Sequence, residues 1–228
     1  NEDIKNRYLR TSVRTFCNLI NKMKEDIKEH KFDIVIGEDR SGRIPALVVG
    51  GLLKLIYTED KVESPKILFV TGPYEDEPTD KMASREKLLG EYFDYLKANG
   101  IIKEKSSVLF VTEFICVGDS LKSFIDVAKK KGINVTIASL EILSDNVSKR
   151  IQEEKDLKIY RGDVVQPLSD AGIELYDPHG FKGIVGLKKN YGEIFARKYK
   201  TSYVDVKSIR NDVKMIIEKL KKHYDKIK

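Results

Sequence analysis

Short apolar runs alternate with longer amphipathic stretches along this chain. Runs rich in branched apolar residues lie at 33–37, 66–72, 107–112 and 134–140, and a fifth candidate covers 157–160. Between these runs apolar residues recur every three or four positions, which is the spacing of a helix that buries one face. Strands that alternate with helices are joined by right-handed crossovers, so the pattern predicts an α/β fold with a doubly wound, mostly parallel sheet flanked by helices.

The amphipathic stretches predict helices in five places. They lie at about 11–29, 44–56, 88–99, 121–131 and 209–227. Cys17 falls on the apolar face of the first helix, so its side chain is predicted to point into the core. The terminal helix leaves two alternatives open: it packs on its own sheet, or it pairs with a second copy of the chain in a homodimer.

Residues 161–204 break this pattern. Six glycines are spread through the segment with aromatic residues between them, and helical spacing is weak. We therefore expect a core at 1–160, a small glycine-rich appendage or hood at 161–204 and a terminal amphipathic helix at 205–228. His179 lies in this segment between a proline and a glycine, where the pattern favours an exposed turn residue over a catalytic group.

Composition narrows the class of protein. The 228 residues carry a formal net charge of +6, but 42 basic residues are mixed with 36 acidic ones, which argues against a nucleic-acid partner. Two cysteines, Cys17 and Cys116, are too few for a disulfide framework or a zinc site and favour the cytoplasm. No apolar run approaches the roughly 18 residues of a membrane span, so no membrane partner is expected.

The stretch 107–121 contains the main candidate site. An apolar run leads to Thr112 and Glu113, and Gly118 precedes a helical pattern. A helix N-terminus at the carboxyl end of a strand presents free N–H groups and a positive dipole to a phosphate. Glu113 can accept hydrogen bonds from sugar hydroxyls or help to hold a hard cation. The combination favours a sugar phosphate, and the alternative is a plain strand–loop–helix corner of a doubly wound fold.

A second polar loop follows the run at 33–37. Its residues are Gly37, Glu38, Asp39, Arg40, Ser41, Gly42 and Arg43. Guanidinium groups and close-approaching backbone suit an anion, whereas the alternative is a surface turn held by local ion pairs. Because the carboxyl ends of parallel strands meet at one edge of a sheet, the two loops together predict a single ligand site.

The stretch 107–121 resembles the ribose-phosphate motif of type I phosphoribosyltransferases. That motif has four apolar residues, two acidic residues and a Thr/Gly-rich loop that ends in a Thr-Leu pair. Glu113 matches the second acid, and Gly118, Ser120 and Leu121 match the end of the motif. The resemblance implies that the chain binds phosphoribosyl pyrophosphate or a nucleotide and transfers phosphoribose to or from a nucleobase.

Three positions depart from the motif. Thr112 stands at the first acid, and Cys116 and Val117 replace hydroxyl-rich positions. The family uses both acids towards the ribose hydroxyls, so the departure at Thr112 keeps a second hypothesis open, a catalytically weakened nucleotide sensor or regulatory module. On the resemblance, Thr112→Asp is expected to rebuild the acidic pair and to raise ligand binding.

The resemblance also assigns roles to individual residues. Glu113 and Arg85 are the candidate catalytic residues, Arg85 because the family closes a loop over the reaction in this interval. The candidate substrate-binding residues are Glu38, Asp39, Arg40, Ser41, Gly42, Arg43, Thr112, Cys116, Val117, Gly118, Asp119, Ser120 and Leu121, with pyrophosphate at 37–43 and the 5-phosphate at 118–120. Mg²⁺ is expected only with a pyrophosphate-bearing substrate, which supplies most of its ligands. The hood is expected to select the base.

Overall fold

The computed structural model describes residues 3–39, 42–71, 79–115, 118–143, 145–155, 157–164 and 206–228. The predicted appendage from 165 onwards, with His179, lies outside the described residues. Among the described helices none is long and apolar enough to cross a membrane.

Five strands form one parallel sheet. They are β1 (Ile34–Asp39), β2 (Lys66–Thr71), β3 (Ser107–Ile115), β4 (Asn134–Ile142) and β5 (Ile159–Val164), and their order is β2-β1-β3-β4-β5. Each neighbouring pair is parallel. The predicted parallel α/β architecture is confirmed, and the fifth candidate strand is present.

Within the described ranges, six helices cover the two faces of the sheet. They are α1 (Arg7–Lys28), α2 (Arg43–Glu59), α3 (Thr79–Ala98), α4 (Asp119–Lys130), α5 (Asp145–Lys155) and α6 (Val206–Ile227). α1, α2 and α6 share one apolar core with Leu109 and Val111 of β3. α3, α4 and α5 share the other core with Val108 and Phe110. Alternate residues of β3 therefore serve opposite faces, as a strand buried on both sides requires.

The terminal helix packs on its own chain. Ile216 and Leu220 of α6 are fully buried in the core that α1 and α2 share. Asp212 is 2% exposed, and its carboxylate accepts hydrogen bonds from the backbone N–H groups of Lys5 and Asn6 at 3.1 and 2.8 Å. These contacts show that α6 packs on its own chain, and a homodimer stays a prediction.

Several elements differ from the sequence-based expectation. α1 begins at Arg7 instead of residue 11, α3 begins at Thr79 instead of residue 88, and β5 ends at Val164, inside the segment predicted as the appendage. β3 continues to Ile115 instead of ending at residue 112, because pairing with β4 extends through Phe114 opposite Glu141 and Ile115 opposite Ile142. α5 was not predicted, since its sequence is mostly polar and only Ile151 within it is a buried apolar residue. Cys17 is half-buried against the core, as expected, and burial raises the pKa of its thiol.

A buried carboxylate stabilises the amino edge of the sheet. Asp26 of α1 is 5% exposed and accepts hydrogen bonds from Lys158 at 2.8 Å, Tyr160 at 2.7 Å and Lys31 at 3.2 Å. Burial opposes the charged form of Asp26, but the bonds from Lys158, Tyr160 and Lys31 outweigh it and hold the pKa of this carboxyl below its usual value. Burial, together with the bond to Asp26, raises the pKa of Tyr160 to about 12.

Candidate functional site

The strand order places between β1 and β3 a reversal of chain direction, the position at which open parallel sheets leave a crevice. From β1 the chain crosses to β2 on one side, and from β3 it crosses to β4 on the other side. The connecting helices leave on opposite faces, because α2 packs in one core and α4 in the other. In open parallel sheets such a reversal separates the two loops at the carboxyl edge and leaves room for a ligand between them. The two predicted loops lie at this point.

The corner between β1 and α2 is tightly packed. Glu38 and Asp39 belong to β1 instead of the loop, and Gly42 directly precedes α2. A Cβ atom on Gly42 would lie 2.5 Å from the carbonyl oxygen of Val111 and 2.8 Å from the backbone nitrogen of Glu38. Only glycine fits against this backbone, so the start of α2 is held against the ends of both β1 and β3.

Arg43 begins α2 beside the edge strand β2. Its guanidinium carbon lies 4.6 Å from the centre of the Phe69 ring, which is the geometry of a cation–π contact. The contact holds a positive charge next to the β1 corner. This placement agrees with the predicted role of Arg43 in binding an anion, which the structure does not test.

The corner between β3 and α4 has a helix start at Asp119. Gly118 precedes it with φ of 88°, a conformation that glycine adopts readily and other residues adopt only with strain. Leu121 is 4% exposed and anchors the first turn in the core. The first N–H groups of α4 therefore emerge at the carboxyl edge, where an anion is favoured.

Thr112 and Glu113 lie inside β3 and are nearly fully buried. Thr112 is 2% exposed and Glu113 is 7% exposed. The hydroxyl of Thr112 donates a hydrogen bond to Oε2 of Glu38 on the neighbouring strand, with 2.7 Å between the oxygens. Glu38 itself is only half-buried. The contact joins β1 and β3 through side chains, and the sequence did not predict it.

The structure brings together part of the predicted site. Glu38, Gly42, Thr112, Glu113 and Gly118 lie at the ends of adjacent strands or at the helix starts that follow them. Four predicted residues lie outside the described residues: Arg40, Ser41, Cys116 and Val117. The backbones of Asp39, Arg85, Asp119 and Ser120 lie in β1, α3 and α4, and their side chains are outside the described part.

Glu141 extends the acidic character of this edge. It lies near the end of β4, opposite Asp163 of β5. Burial, and then the charge of Asp163, raise the pKa of Glu141. Among the described residues no hydrogen-bond donor reaches its buried Oε2 atom. Sequence reasoning did not single out Glu141, although a carboxylate near the end of a buried run was the available signal.

The described side chains do not form a metal centre by themselves. No group of three or more His, Cys, Asp or Glu residues converges within the described ranges. Glu38 and Glu113 supply oxygen donors, which are the ligand type that Mg²⁺ prefers. Binding of Mg²⁺ together with a pyrophosphate-bearing substrate stays a prediction.

Two small cavities occur elsewhere. One of about 190 Å³ lies between the ends of α1, α2 and α6, where Lys221 pairs with Glu59 and Asp225. The other, of about 290 Å³, lies between α1 and β5 beside Lys22 and Arg161. Neither adjoins the crevice between β1 and β3. The ion pairs at the first cavity connect α2 to α6, which is a structural role.

Solved structures that are similar in fold include two phosphoribosyltransferases. The crystal structure of orotate phosphoribosyltransferase from Aeropyrum pernix is 14% identical, covers 68% of this chain and 71% of its own, and gives a TM-score of 0.40. The crystal structure of purine phosphoribosyltransferase from Pyrococcus horikoshii Ot3 is 20% identical in sequence. The match covers 57% of this chain and 72% of that chain, with a TM-score of 0.34. No protein-family model and no curated protein matches the chain. These likenesses concern the fold alone.

Proposed function

We propose that this chain binds phosphoribosyl pyrophosphate or a nucleoside monophosphate in the crevice between β1 and β3, and transfers phosphoribose to or from a nucleobase. The observation that carries the proposal is the strand order. It sets two helix starts, at Gly42 and Gly118, on either side of the point where the chain direction reverses. Glu38 and Glu113 lie in β1 and β3, the adjacent strands that precede these helix starts.

In this proposal the two corners bind different phosphates. The start of α4 at 118–120 binds the 5-phosphate, because Gly118 permits close backbone approach and the helix dipole favours negative charge. The loop at 37–43 binds the pyrophosphate. Arg43 supports this assignment, since its guanidinium group is held beside that loop by Phe69.

Magnesium accompanies only the pyrophosphate-bearing ligand. Glu113 and Asp39 would hold the ion through water, and the bound ion supplies neutralisation of the diphosphate charge. The chain's own groups do the rest. The helix starts orient the phosphates, and the burial of Thr112 and Glu113 keeps water from the floor of the crevice. A homodimer stays a prediction.

One observation favours a second function, a nucleotide sensor without turnover. Glu113 is 7% exposed inside a continuous strand, and its neighbour Thr112 carries no charge. Transfer requires fixed charge that stabilises the developing positive charge on the ribosyl group as pyrophosphate leaves. A crevice that has the uncharged Thr112 in place of an acid suits binding of a nucleotide better than it suits transfer of phosphoribose.

Calorimetric titration with phosphoribosyl pyrophosphate and Mg²⁺, run beside a turnover assay over several nucleobases, tests these functions. Binding with turnover supports the transferase. Binding without turnover supports the sensor. Absence of binding for both phosphoribosyl pyrophosphate and nucleoside monophosphates, in protein that melts cooperatively, would refute both functions.

A pair of glycine variants localises the phosphate. Gly118→Ala and Gly132→Ala both place a side chain at a positive φ, of 88° and 64°, so the backbone strain alone costs each about 1–2 kcal/mol of stability. Only Gly118 lies at the proposed site, where its Cβ would also meet Ile151 at 2.6 Å. We expect affinity for phosphoribosyl pyrophosphate to fall at least about tenfold in Gly118→Ala and to be unchanged in Gly132→Ala. Equal affinities in the two variants would exclude this phosphate site.

A further inference from the structure

Ile151 of α5 packs directly on the turn that begins α4. A Cβ atom built on Gly118 would lie 2.6 Å from Cδ1 and 3.2 Å from Cγ1 of Ile151, and 3.8 Å from Cγ2 of Ile115. The side chain of Ile151 therefore occupies the space that any other residue at 118 would need for its Cβ. Ile151 is 6% exposed and shares its apolar core with Ile115 and Leu121. A residue of a different helix thus supports the Gly118 turn from the core side.

The backbone of Gly118 needs this support from outside the turn. Its φ is 88°, and glycine populates positive and negative φ about equally, so the residue itself does not select this conformation. The carbonyl of Gly118 accepts a hydrogen bond from the backbone N–H of Lys122 at 2.9 Å, which links the turn to the direction of α4. Gly132 has a similar φ of 64°, but apart from its chain neighbours no heavy atom of the described residues lies within 4 Å of the position of its Cβ. Packing on Ile151 therefore distinguishes the Gly118 turn from a glycine at an ordinary helix end.

α5 is attached to the sheet by few of its described side chains. Among them Ile151 is the one apolar side chain that is buried, and Val147 packs on the same core while partly exposed. Asp145 in the first turn forms an ion pair with Arg161 of β5, but the side chain of Asp145 is 59% exposed, and such pairs contribute little to stability. The position of α5 on the sheet, and with it the support of Gly118, depends mainly on Ile151.

We propose that Ile151 is a positioning residue for the corner between β3 and α4, and that the packing of α5 on this corner sets its affinity for the 5-phosphate. The inference rests on the proposed function and adds regulation of that site by a residue on the core side of the turn. Backbone N–H groups bind an anion well only when they point at it together, so a small rotation of the first turn of α4 lowers affinity. Ile151 opposes that rotation because its side chain fills the space beside Gly118.

Two isoleucine variants in one core separate positioning from general loss of stability. Ile151→Ala and Ile133→Ala remove the same atoms from side chains that are 6% and 5% exposed in the core of α3, α4 and α5. Ile133 directly precedes β4 at the amino edge, so only Ile151→Ala loosens the Gly118 turn. Calorimetry should show affinity for ribose 5-phosphate about tenfold lower in Ile151→Ala and unchanged in Ile133→Ala.

A second ligand tests whether the effect is confined to this corner. The proposed function places pyrophosphate at the loop 37–43, away from Ile151. Inorganic pyrophosphate with Mg²⁺ should therefore bind Ile151→Ala as tightly as it binds wild-type protein. A purely structural role for Ile151 predicts that affinity for pyrophosphate and for ribose 5-phosphate falls together, and that result would overturn the inference.

A double variant tests the contact in the absence of ligand. Ile151→Val removes Cδ1, the atom that a Cβ on Gly118 would meet at 2.6 Å. Gly118→Ala should therefore destabilise the Ile151→Val protein less than it destabilises wild-type protein, whereas Gly132→Ala should have the same effect in both. Urea denaturation measures these differences. Hydrogen exchange of ligand-free Ile151→Ala, compared with Ile133→Ala, should be faster in the peptide that contains Gly118 and equal in the peptide that contains Gly42.

The outcomes distinguish this inference from the function on which it rests. Folding of every variant is checked by thermal denaturation followed by circular dichroism, and the pair Ile151→Val and Ile133→Val replaces an alanine variant that does not fold. If wild-type protein binds ribose 5-phosphate and the folded Ile151 variant binds it as tightly, or if the Gly118 and Ile151 substitutions are additive in stability, the inference is overturned and the ligand class stands. If wild-type protein binds neither ribose 5-phosphate nor phosphoribosyl pyrophosphate, the proposed function and the inference both fail.

Discussion

Two acids at opposite edges of the sheet have opposite pKa shifts. At the amino edge, Lys158, Tyr160 and Lys31 surround Asp26, and their hydrogen bonds outweigh burial, so its pKa is lowered. At the carboxyl edge, burial and the charge of Asp163 raise the pKa of Glu141. Asp26 is almost fully buried and Glu141 is half-buried with its Oε2 atom buried, and the difference lies in whether hydrogen-bond donors accompany the carboxylate.

The opposite pKa shifts distinguish an edge of the sheet where carboxylates stabilise the fold from an edge where they are available to a ligand. A carboxylate that is fully compensated within the fold adds stability and has little left to offer a ligand. A buried carboxylate oxygen that no donor among the described residues reaches, such as Oε2 of Glu141, costs stability until a donor or a cation from outside arrives. The carboxyl edge contains Glu38, Glu113 and Glu141 near the ends of successive strands. We therefore expect mutations of acids at the two edges to change stability in opposite directions.

The largest expected effect on stability is at the amino edge. Asp26→Asn removes a buried charge that two lysines and a tyrosine contact, and the free energy of unfolding at neutral pH should fall by about 2–3 kcal/mol. The value lies at the lower end for a buried pair because the side chains of Lys31 and Lys158 are 35% and 48% exposed. Urea denaturation measures the change. Glu63→Gln, whose exposed carboxylate lies 3.9 Å from Lys103, should change stability by less than about 0.5 kcal/mol.

The pH dependence of stability gives a second measure of the same contacts. Since the pKa of Asp26 is lower in the folded state, its contribution is fully present above the unfolded value of about 3.9 and is lost as pH falls through the folded value. The pKa of Tyr160 is raised to about 12, so its contribution is present below the unfolded value of about 10 and is lost as pH rises towards 12. Wild-type protein and Asp26→Asn should converge in stability at acid pH. A constant difference between them would contradict the assignment.

A smaller effect on stability is expected at the carboxyl edge, where the substitution should stabilise the protein instead of destabilising it. The pKa of Glu141 is raised in the folded state, so its contribution is present below about pH 4.3 and is lost as pH rises through the folded value. Glu141→Gln should therefore increase the free energy of unfolding at neutral pH, by an amount of order 0.5–1 kcal/mol. Urea denaturation at neutral and at acid pH checks the sign. Destabilisation at neutral pH would remove the contrast between the two edges.

The sequence was sufficient to predict the architecture. Buried parallel strands are apolar on both faces, and runs such as 108–111 therefore stand out from the amphipathic helices between them. The helix starts after Gly42 and Gly118 were also predictable, because glycine and polar residues end each apolar run. α5 was not, since a helix that covers the sheet with a single buried apolar residue, Ile151, has almost no periodic signal.

The hydrogen bond between Thr112 and Glu38 could not be predicted from the local sequence. The polar pair Thr112 and Glu113 resembled the beginning of a loop, but pairing with β4 extends the strand through both residues. The bond from Thr112 to Glu38 depends on the register between β1 and β3, which places Gly37 opposite Val111. Neither strand specifies that register alone. The sequence consequently assigned Glu38 to a loop that binds pyrophosphate.

Hydrogen exchange measured with and without phosphoribosyl pyrophosphate and Mg²⁺ tests most directly whether the carboxyl edge is the ligand site. Ligand binding slows exchange where backbone N–H groups are contacted or held more rigidly. The account predicts slower exchange in the peptides that contain Gly42 and Gly118, and no change in those around Asp26 and Lys158. Saturating ligand that leaves the Gly42 and Gly118 peptides unchanged, or that slows exchange only at the amino edge, would contradict it.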